Sequence, residues 1–342
     1  MRAWGILLAC AALSLCAPSA AAETGLLKGV VLGLFSADPG ADYGPALREL
    51  YELGAEAVSL MVVSTMPDVH SVEITTNPWG GSSDERIRIT IQQAHALGLR
   101  VHLIPTLHVV DVAPGRWRGT LEPPSWEAWF AAYGAVLLRY AELAEQAGAE
   151  YFSVGSELIS SEVEERRWRA LIDQVRARYR GRLSYTCNWD ALDGMRFADA
   201  LDLLGANAYH EIDPLTNGGR PALPALIASW EPIRERLRAW SERHGRRVLI
   251  TEIGYPSMEG GLRQPWNYLA GLPVDLEEQR LGYQAFLAAW AEADFLAGVF
   301  FYDWWGAGGP SDTSYTPRGK PAMELLRCWF ADLATDGNGM LE

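Results

Sequence analysis

The chain has 342 residues, of which 49% are hydrophobic and 21% charged, a composition that is typical of soluble globular proteins and excludes intrinsic disorder, collagen-like sequence and a multi-span membrane protein. Acidic residues outnumber basic ones by 43 to 29, for a formal net charge of −14, which disfavours binding to nucleic acid because a phosphate backbone needs a cationic surface. A neutral or cationic partner fits this charge better, and the 14 Trp and 13 Tyr residues favour a ring-shaped ligand such as a sugar.

The N-terminal 22 residues have the organisation of a secretory signal peptide. Arg2 precedes an apolar run at residues 6–15, and the small residues that follow suit cleavage near Glu23. The apolar run is too short to span a bilayer as a permanent anchor. Lipidation at Cys16 is the less favoured alternative, because the large Leu15 stands where lipoprotein signals have a small residue. We therefore expect a secreted or periplasmic protein with no membrane insertion in its mature chain.

Two cysteines remain after this cleavage, Cys187 and Cys328. The first falls in a predicted strand and the second in the last predicted helix, on different sides of the expected fold. We therefore predict two free thiols and no disulfide.

From residue 30 onward, short β-rich segments alternate with longer segments of helical periodicity. The predicted strands are residues 30–35, 57–63, 100–108, 150–157, 183–188, 203–209, 248–254 and 299–304. The predicted helices are residues 43–53, 84–97, 125–147, 162–180, 194–200, 221–244, 275–293 and 320–333. Capping residues support several helix bounds: Ser125 and Asp84 at helix starts, and Gly54, Gly98 and Gly148 just past helix ends.

Eight such strand and helix units predict an α/β protein with a single (β/α)8 TIM barrel. We place this domain at residues 23–333, followed by a C-terminal tail at residues 334–342. No linker or short-period repeat divides the chain. A doubly wound sheet is the alternative architecture, and it is less favoured because residues 36–40, Ser-Ala-Asp-Pro-Gly, lack the glycine-rich phosphate-binding turn expected after the first strand.

Two carboxylates end predicted strands, where a barrel of this kind carries its reactive groups. Glu157 ends the fourth strand and Glu252 the seventh. Alternation along the fourth strand places Ser153, Gly155 and Glu157 on one side, so that small residues lie beneath a carboxylate at the crowded barrel axis. Strands four and seven are three apart in a ring of eight, and their carboxylates therefore face each other across the mouth. Such a pair is what hydrolysis of a glycosidic bond needs, one protonated and one ionised.

The sequence around these carboxylates resembles glycoside hydrolase family 113, whose characterised members are β-1,4-mannanases, within the clan of retaining (β/α)8 glycosidases. The similar segments follow one another in order over most of the mature chain: residues 108–111 (HVVD), 115–119 (GRWRG), 126–133, 140–141, 152–158 (FSVGSEL), 183–190, 202–209 and 251–257 (TEIGYPS). The resemblance implies that Glu157 is the acid/base and Glu252 the nucleophile of a retaining double displacement on β-1,4-linked mannan or manno-oligosaccharides. It implies no cofactor.

Roles for other strand-end residues are also implied by the resemblance. Tyr209 would donate a hydrogen bond to the nucleophile. Trp304 or Trp305 would form the platform under the sugar, and only one can do so because adjacent strand residues point opposite ways. The predicted contacts to sugar hydroxyls are Asn188, Trp189 and His108.

Three further positions bear on the shape of the groove. Arg118 lies in the loop after strand three, and we expect it to bond Asp111. Ser156 precedes the acid/base where many relatives in the clan carry Asn, and residues 210–214 (HEIDP) depart from the Phe and Pro expected behind the strand-six tyrosine. These departures leave the catalytic pair intact but leave open which sugar is bound.

Several alternatives remain open at this point. A metal hydrolase is disfavoured, since the six His residues include no pair with the i, i+4 spacing of a zinc-binding helix and no His-X-His at a strand end. A carbohydrate-binding barrel without turnover is possible because sequence does not reveal the pKa split between the carboxyls. The substrate could be glucan or xylan, which differ from mannan at few groups. Endo or exo action depends on loops such as residues 258–274, with Trp266 and Tyr268. We expect a monomer without a metal.

Overall fold

The computed structural model describes residues 25–111, 113–213 and 221–332. The predicted signal peptide and the C-terminal tail lie outside these residues. Eight parallel strands form a closed barrel, which confirms the predicted fold class: β1 (Leu27–Gly33), β2 (Ala57–Met66), β3 (Arg100–Val109), β4 (Tyr151–Ser156), β5 (Arg182–Cys187), β6 (Leu203–Asn207), β7 (Val248–Ile253) and β8 (Leu296–Phe301). Each strand pairs with the next, and β1 closes the barrel by pairing with both β2 and β8.

Helices surround this barrel: α1 (Gly44–Leu53), α2 (Asp84–Ala96), α3 (Trp126–Ala147), α4 (Glu165–Arg176), α5 (Leu223–Ser229), α6 (Glu231–His244), α7 (Leu276–Trp290) and α8 (Ala322–Phe330). The predicted helix at residues 194–200 is wrong, because this short segment forms only a 3-10 turn at Ala198–Ala200. The predicted helix at residues 221–244 is divided in two at Trp230, where Pro232 has no N–H to continue the α5 hydrogen bonds. No described helix has the length and apolar character needed to cross a membrane.

Capping residues set several helix ends as predicted. The Oγ of Ser125 accepts a hydrogen bond from the Ala128 N–H at 3.2 Å, and Gly148 ends the same helix with a φ of 80°. The cap of α2 is Ser83 and not the predicted Asp84, because the Ser83 Oγ accepts from the Arg86 N–H. Asp84 is the first helical residue.

Side chains fill the barrel axis below the mouth. Val31, Met61, Ile104 and Phe300 belong to an apolar cluster inside the barrel. His102 lies beside it, fully buried, with its Nδ1 3.1 Å from the Ser59 hydroxyl and its Nε2 3.3 Å from the Ser184 hydroxyl. Burial lowers the pKa of His102 to about 3, so the ring stays neutral. A packed interior leaves room for a ligand only at the end of the barrel.

A larger apolar layer lies between the barrel and its helices, and both Cys187 and Cys328 are buried and free. Their predicted state as thiols is therefore confirmed.

The fourth strand ends one residue before the predicted end, and its pairing with β5 shifts between Ser153 and Ser156. This shift makes the predicted alternation wrong at Gly155. A Cβ there would meet the rings of Tyr185 and Trp168 at 2.8 and 3.1 Å, so Gly155 faces the outer layer. Glu157 follows the strand with a φ of 56°, in the left-handed region that residues with a side chain rarely adopt. Such backbone conformations concentrate at functional sites.

Candidate active site

A groove of about 1070 Å³ opens at the carboxyl ends of the strands. Its wall is formed largely by aromatic rings and carries few charged groups. The predicted site residues that line it are Glu157, Glu252, Tyr209, Asn188, Trp189, His108 and Trp305. Trp304 is the predicted site residue that does not reach the groove.

Glu157 is held at both carboxylate oxygens and through the backbone on both sides. Its Oε1 accepts a hydrogen bond from Asn207 Nδ2 at 2.6 Å, and its Oε2 accepts one from Arg118 Nη2. Its backbone N–H donates to the Thr186 carbonyl at 2.8 Å, and the next N–H, of Leu158, donates to the Tyr185 hydroxyl at 3.0 Å. Only 5% of the residue is exposed, so this carboxylate is oriented before any ligand binds.

Asn207 is a site residue to which the sequence analysis gave no role. It ends β6, and its Oδ1 accepts a hydrogen bond from the Thr251 hydroxyl at 3.0 Å, which turns its Nδ2 toward Glu157. The sequence indicated that Asn207 ends a strand. It did not indicate the hydrogen bond from Asn207 to Glu157, because the β6–β7 register shifts between Ala206 and Asn207.

The predicted contact between Arg118 and Asp111 is wrong. Arg116 is the residue that pairs with Asp111, with Nη1 2.7 Å from Oδ2, whereas Arg118 turns inward to Glu157. The two arginines are two residues apart, and the 3-10 turn that starts at Arg118 sends their side chains in different directions. Burial lowers the pKa of Arg118, but the charges of Glu157 and Glu252 raise it more, so the guanidinium is protonated.

Glu252 lies directly after Thr251 near the end of β7, and its surroundings contain fewer donors. Its Oε2 accepts a hydrogen bond from the Tyr209 hydroxyl at 2.9 Å, as the resemblance implies. Within the described part of the chain, its buried Oε1 has no hydrogen-bond partner. Burial and the charge of Glu157 raise the pKa of Glu252 to about 8.

Glu157 and Glu252 lie close enough for the charge of one to act on the other. Like charges in a buried site cannot both form easily, and the protons of interacting groups belong to the pair. Burial of Glu252 beside Glu157 therefore opposes a second negative charge in this groove.

The structure separates the two neighbouring tryptophans. Trp305 is 40% exposed and lines the groove, 5.4 Å from the ring of Phe35. Trp304 is 3% exposed, and its Nε1 donates a hydrogen bond to Glu49 at 2.9 Å on α1. The two rings point opposite ways, as expected for adjacent residues at a strand end. Trp305 is thus the ring available to a ligand.

Three other predicted residues also line the groove. Asn188 Nδ2 donates a hydrogen bond to Asp190 Oδ1 at 2.6 Å. The ring of Trp189 stacks on Trp266, with centroids 5.4 Å apart and planes 18° apart. His108, on β3, is exposed to the groove, and partial burial and the nearby Arg118 charge lower its pKa.

Sequence reasoning also missed several rings of the groove. Phe35 and Trp79 pack edge to face at 6.0 Å, and Tyr302 and Tyr315 pack in the same way at 5.2 Å. Tyr302 directly follows β8, so its place at a strand end was a usable signal. Trp79 and Tyr315 lie in long loops, where no periodicity indicates which residues reach the mouth.

Ser156, the departure noted directly before Glu157, does not line the groove. Its hydroxyl is buried and has no hydrogen-bond partner among the described residues. A direct contact between this side chain and a sugar hydroxyl is therefore not available in this structure.

Comparisons with known proteins agree with this site. The sequence profile described as Glycoside Hydrolase Family 113 matches residues 39–317. A family 113 β-mannanase from Alicyclobacillus acidocaldarius, solved in complex with ManMIm, is 30% identical over 91% of this chain and 98% of its own, with a TM-score of 0.81. A family 113 β-1,4-mannanase is 25% identical over 90% and 99% of the two chains, with a TM-score of 0.79.

More distant structures share the fold alone, such as an endoglucanase from Pseudomonas stutzeri at 18% identity and a TM-score of 0.57. A search of curated proteins finds no significant match. The profile covers most of the barrel and the family 113 structures align over nearly their full length. The chain is a glycoside hydrolase, and it belongs to glycoside hydrolase family 113.

Proposed function

We propose that this enzyme hydrolyses β-1,4-linked mannan and manno-oligosaccharides with retention of anomeric configuration. The observation that carries the proposal is a pair of buried carboxylates with unlike surroundings, Glu157 and Glu252, in one aromatic groove. The choice of mannan is supported by the family 113 structures, which are described as β-mannanases.

In the first step, Glu252 is the nucleophile. Its Oε1 is free of protein hydrogen bonds among the described residues and attacks the anomeric carbon, while Glu157 gives its proton to the departing glycosidic oxygen. The bond from that carbon to the leaving oxygen breaks, and a glycosyl-enzyme ester forms. Tyr209 keeps its hydrogen bond to Oε2, which holds the attacking carboxylate in place.

In the second step, Glu157 is the base. It takes a proton from water, and the oxygen of that water attacks the anomeric carbon as the ester bond to Glu252 breaks. The sugar leaves with its original configuration, and Glu157 is protonated again for the next cycle.

The mechanism requires that Glu157 carry a proton and that Glu252 be ionised when the glycosidic bond is cut. The groove supports the anion of Glu252 for an electrostatic reason. Positive charge develops at the sugar ring in the transition state, and it lies beside Glu252, where it favours the anion.

The placement of rings favours cleavage within a chain. A line across the mouth from β4 to β7 passes through both carboxylates. On one side lie Phe35, Trp79 and Trp305, which follow β1, β2 and β8. On the other side Trp189 follows β5 and is covered by Trp266. A polysaccharide that crosses this line has stacking surfaces on both sides of the bond to be cut.

The test is a product profile on manno-, gluco- and xylo-oligosaccharides of matched length, with proton NMR of the first anomer released. We expect manno-oligosaccharides to be cut fastest, at internal bonds, with β-anomers released first. A preference for glucan or xylan would contradict the assignment of mannan as the substrate but not the proposed mechanism. Release of α-anomers would contradict the nucleophile assignment, and binding without turnover on all three would favour a carbohydrate-binding barrel.

We also propose that the mature enzyme begins near Glu23, is secreted or periplasmic, and is a monomer. The N-terminal sequence pattern supports the first two points. Intact mass of the exported protein and light scattering after gel filtration test them, and retention of residues 1–22 or a dimer mass would contradict them.

A further inference from the structure

A single arginine, Arg118, is the nearest cation to the two carboxyls in the described part of the groove. Its Nη2 donates to Glu157 Oε2, and its charge also acts on Glu252. The side chain is 23% exposed and lines the groove. In a partly desolvated site, such a contact stabilises the ionised carboxylate strongly.

We propose that Arg118 is a positioning residue whose guanidinium fixes the Glu157 carboxyl and stabilises the anion that Glu157 must present to water in the glycosyl-enzyme. This inference rests on the proposed function and deepens it. Arg118 assists the second step, in which Glu157 must accept a proton from water, and opposes the first step, in which Glu157 must donate one.

The geometry supports this division of effects. Asn207 occupies Oε1 with an uncharged donor, so Arg118 supplies the positive charge that Glu157 meets directly. Glu252 receives its described hydrogen bond from the neutral Tyr209. The cation is thus placed on the acid/base and not on the nucleophile.

Other groups around the pair set the background to any pH effect. They lie on β3, β5 and β7 and after β6 and β8, and they are His108, Cys187, Glu252, Tyr209, Tyr302, Asp303 and Tyr315. Burial raises the pKa of Cys187 and of the three tyrosines, and both burial and Arg118 lower the pKa of His108. His108, Cys187 and the three tyrosines are therefore neutral near pH 7. Asp303, whose pKa burial raises to about 7, is present in every variant compared, so a change of pH profile on removal of Arg118 reports the two carboxyls.

The experiment compares Arg118→Gln with wild type on two substrates across pH 4 to 9. With 2,4-dinitrophenyl β-mannoside, departure of the leaving group needs no acid, so kcat reports the second step and the base role of Glu157. With mannohexaose, kcat/KM reports the first step and the acid role.

In Arg118→Gln we expect the acidic limit of kcat on the dinitrophenyl substrate and the basic limit of kcat/KM on mannohexaose to move upward by about one pH unit. This is the lower end of the pKa change that a nearby opposite charge causes. On the dinitrophenyl substrate, kcat falls by up to about tenfold on the acidic side of the profile and is kept on its basic side. On mannohexaose, activity persists to higher pH than in wild type. Arg118→Lys keeps the charge and should keep limits close to those of wild type.

Arg116→Gln is the matched control, because this arginine lies in the same loop but pairs with Asp111 outside the groove. Its pH limits should match those of wild type. Equal loss of activity at every pH in Arg118→Gln and Arg118→Lys would show a purely structural role and overturn the proposal, as would an equal shift in Arg116→Gln.

The two proposals fail differently. If wild type hydrolyses the corresponding β-glucosides and not β-mannosides, the mannan assignment falls while the shift at Arg118 is measured on the glucosides. If mannosides are cleaved but the pH limits of activity are the same in Arg118→Gln and wild type, the proposed role of Arg118 is contradicted and the proposed function stands. A wild-type enzyme that cleaves neither series overturns both.

Discussion

The ends of β4 and β7 place the same side chain in opposite electrostatic surroundings. Glu157 receives a guanidinium, an amide and a fixed backbone on both sides. Glu252 receives one phenol hydroxyl, and its other oxygen has no described partner. A nearby cation favours the charged form of a carboxyl, whereas burial favours the neutral form. Two glutamates of one groove can therefore differ in how well their anions are stabilised, although the residue type is the same.

The largest expected effect comes from removing each carboxylate in turn. Glu252→Ala should lower kcat by at least about 10⁴-fold on every substrate, because no ester can form. Glu157→Ala should lower kcat/KM on mannohexaose by about 10²- to 10⁴-fold, but much less on a dinitrophenyl mannoside. Steady-state kinetics with and without azide check this difference, since azide replaces the attacking water and should restore turnover only in Glu157→Ala. The reverse pattern would exchange the two roles.

A second carboxyl under Glu157 offers a test through stability. Glu162 is 1% exposed, and it accepts a hydrogen bond from Tyr185, whose oxygen in turn accepts one from the Leu158 N–H. Burial raises the pKa of Glu162 from 4.5 to about 7. A carboxyl whose pKa is raised on folding destabilises the folded state once it ionises. Wild type therefore loses stability relative to Glu162→Gln as pH rises from about 4.5 to about 7.

This loss should reach up to about 3 kcal/mol above pH 7. Urea unfolding of both proteins at pH 4.5 and pH 7.5 measures it. The same substitution at the exposed Glu127 on α3 should leave the difference between the two pH values as in wild type. If Glu162→Gln is no more stable than wild type at pH 7.5, the ionised Glu162 does not destabilise the folded protein, and the prediction is contradicted.

Removal of the Tyr209 hydroxyl tests the sparse surroundings of Glu252. Tyr209→Phe leaves that carboxylate without its described donor and raises its pKa further, because the hydrogen bond lowers it. We expect kcat/KM to fall about 10- to 100-fold, in line with a hydrogen bond to a charged group, and the acidic limit of activity to move to higher pH. Tyr179→Phe, a buried tyrosine that bonds the Ala149 carbonyl away from the groove, should show neither change.

The smallest effect is expected at Trp305, the ring proposed to stack on the sugar. Trp305→Ala should raise KM for manno-oligosaccharides about tenfold, because a stacking face is lost, and leave Tm unchanged since the ring is exposed. Trp304→Phe loses the bond to Glu49 and should lower Tm while KM is kept. Thermal melts and initial rates on the same preparations separate the two. An unchanged KM in Trp305→Ala would remove this ring from the binding surface.

Sequence patterns accounted for most of the barrel. Strand and helix periodicity predicted all eight strands, and capping residues predicted the ends of α3. The predicted helix at residues 194–200 was wrong, and the one at residues 221–244 proved to be two helices, because segment length and a proline decided both. The register shift in the pairing of β4 with β5 could not be predicted from the sequence of β4, because it depends on the neighbouring strand.

The sequence alone determined that Glu157 and Glu252 stand at the ends of strands three apart in a ring, because periodicity and strand ends are local features. The tertiary structure decided which groups meet them. Loop geometry sent Arg118 inward and Arg116 outward, and register shifts brought Asn207 to Glu157. The contacts of Arg118 and Asn207 with Glu157 join residues far apart in the chain, and the packing of neighbouring strands and loops fixes them. The carboxylates are therefore readable from sequence, whereas the charge placed on each is a property of the fold.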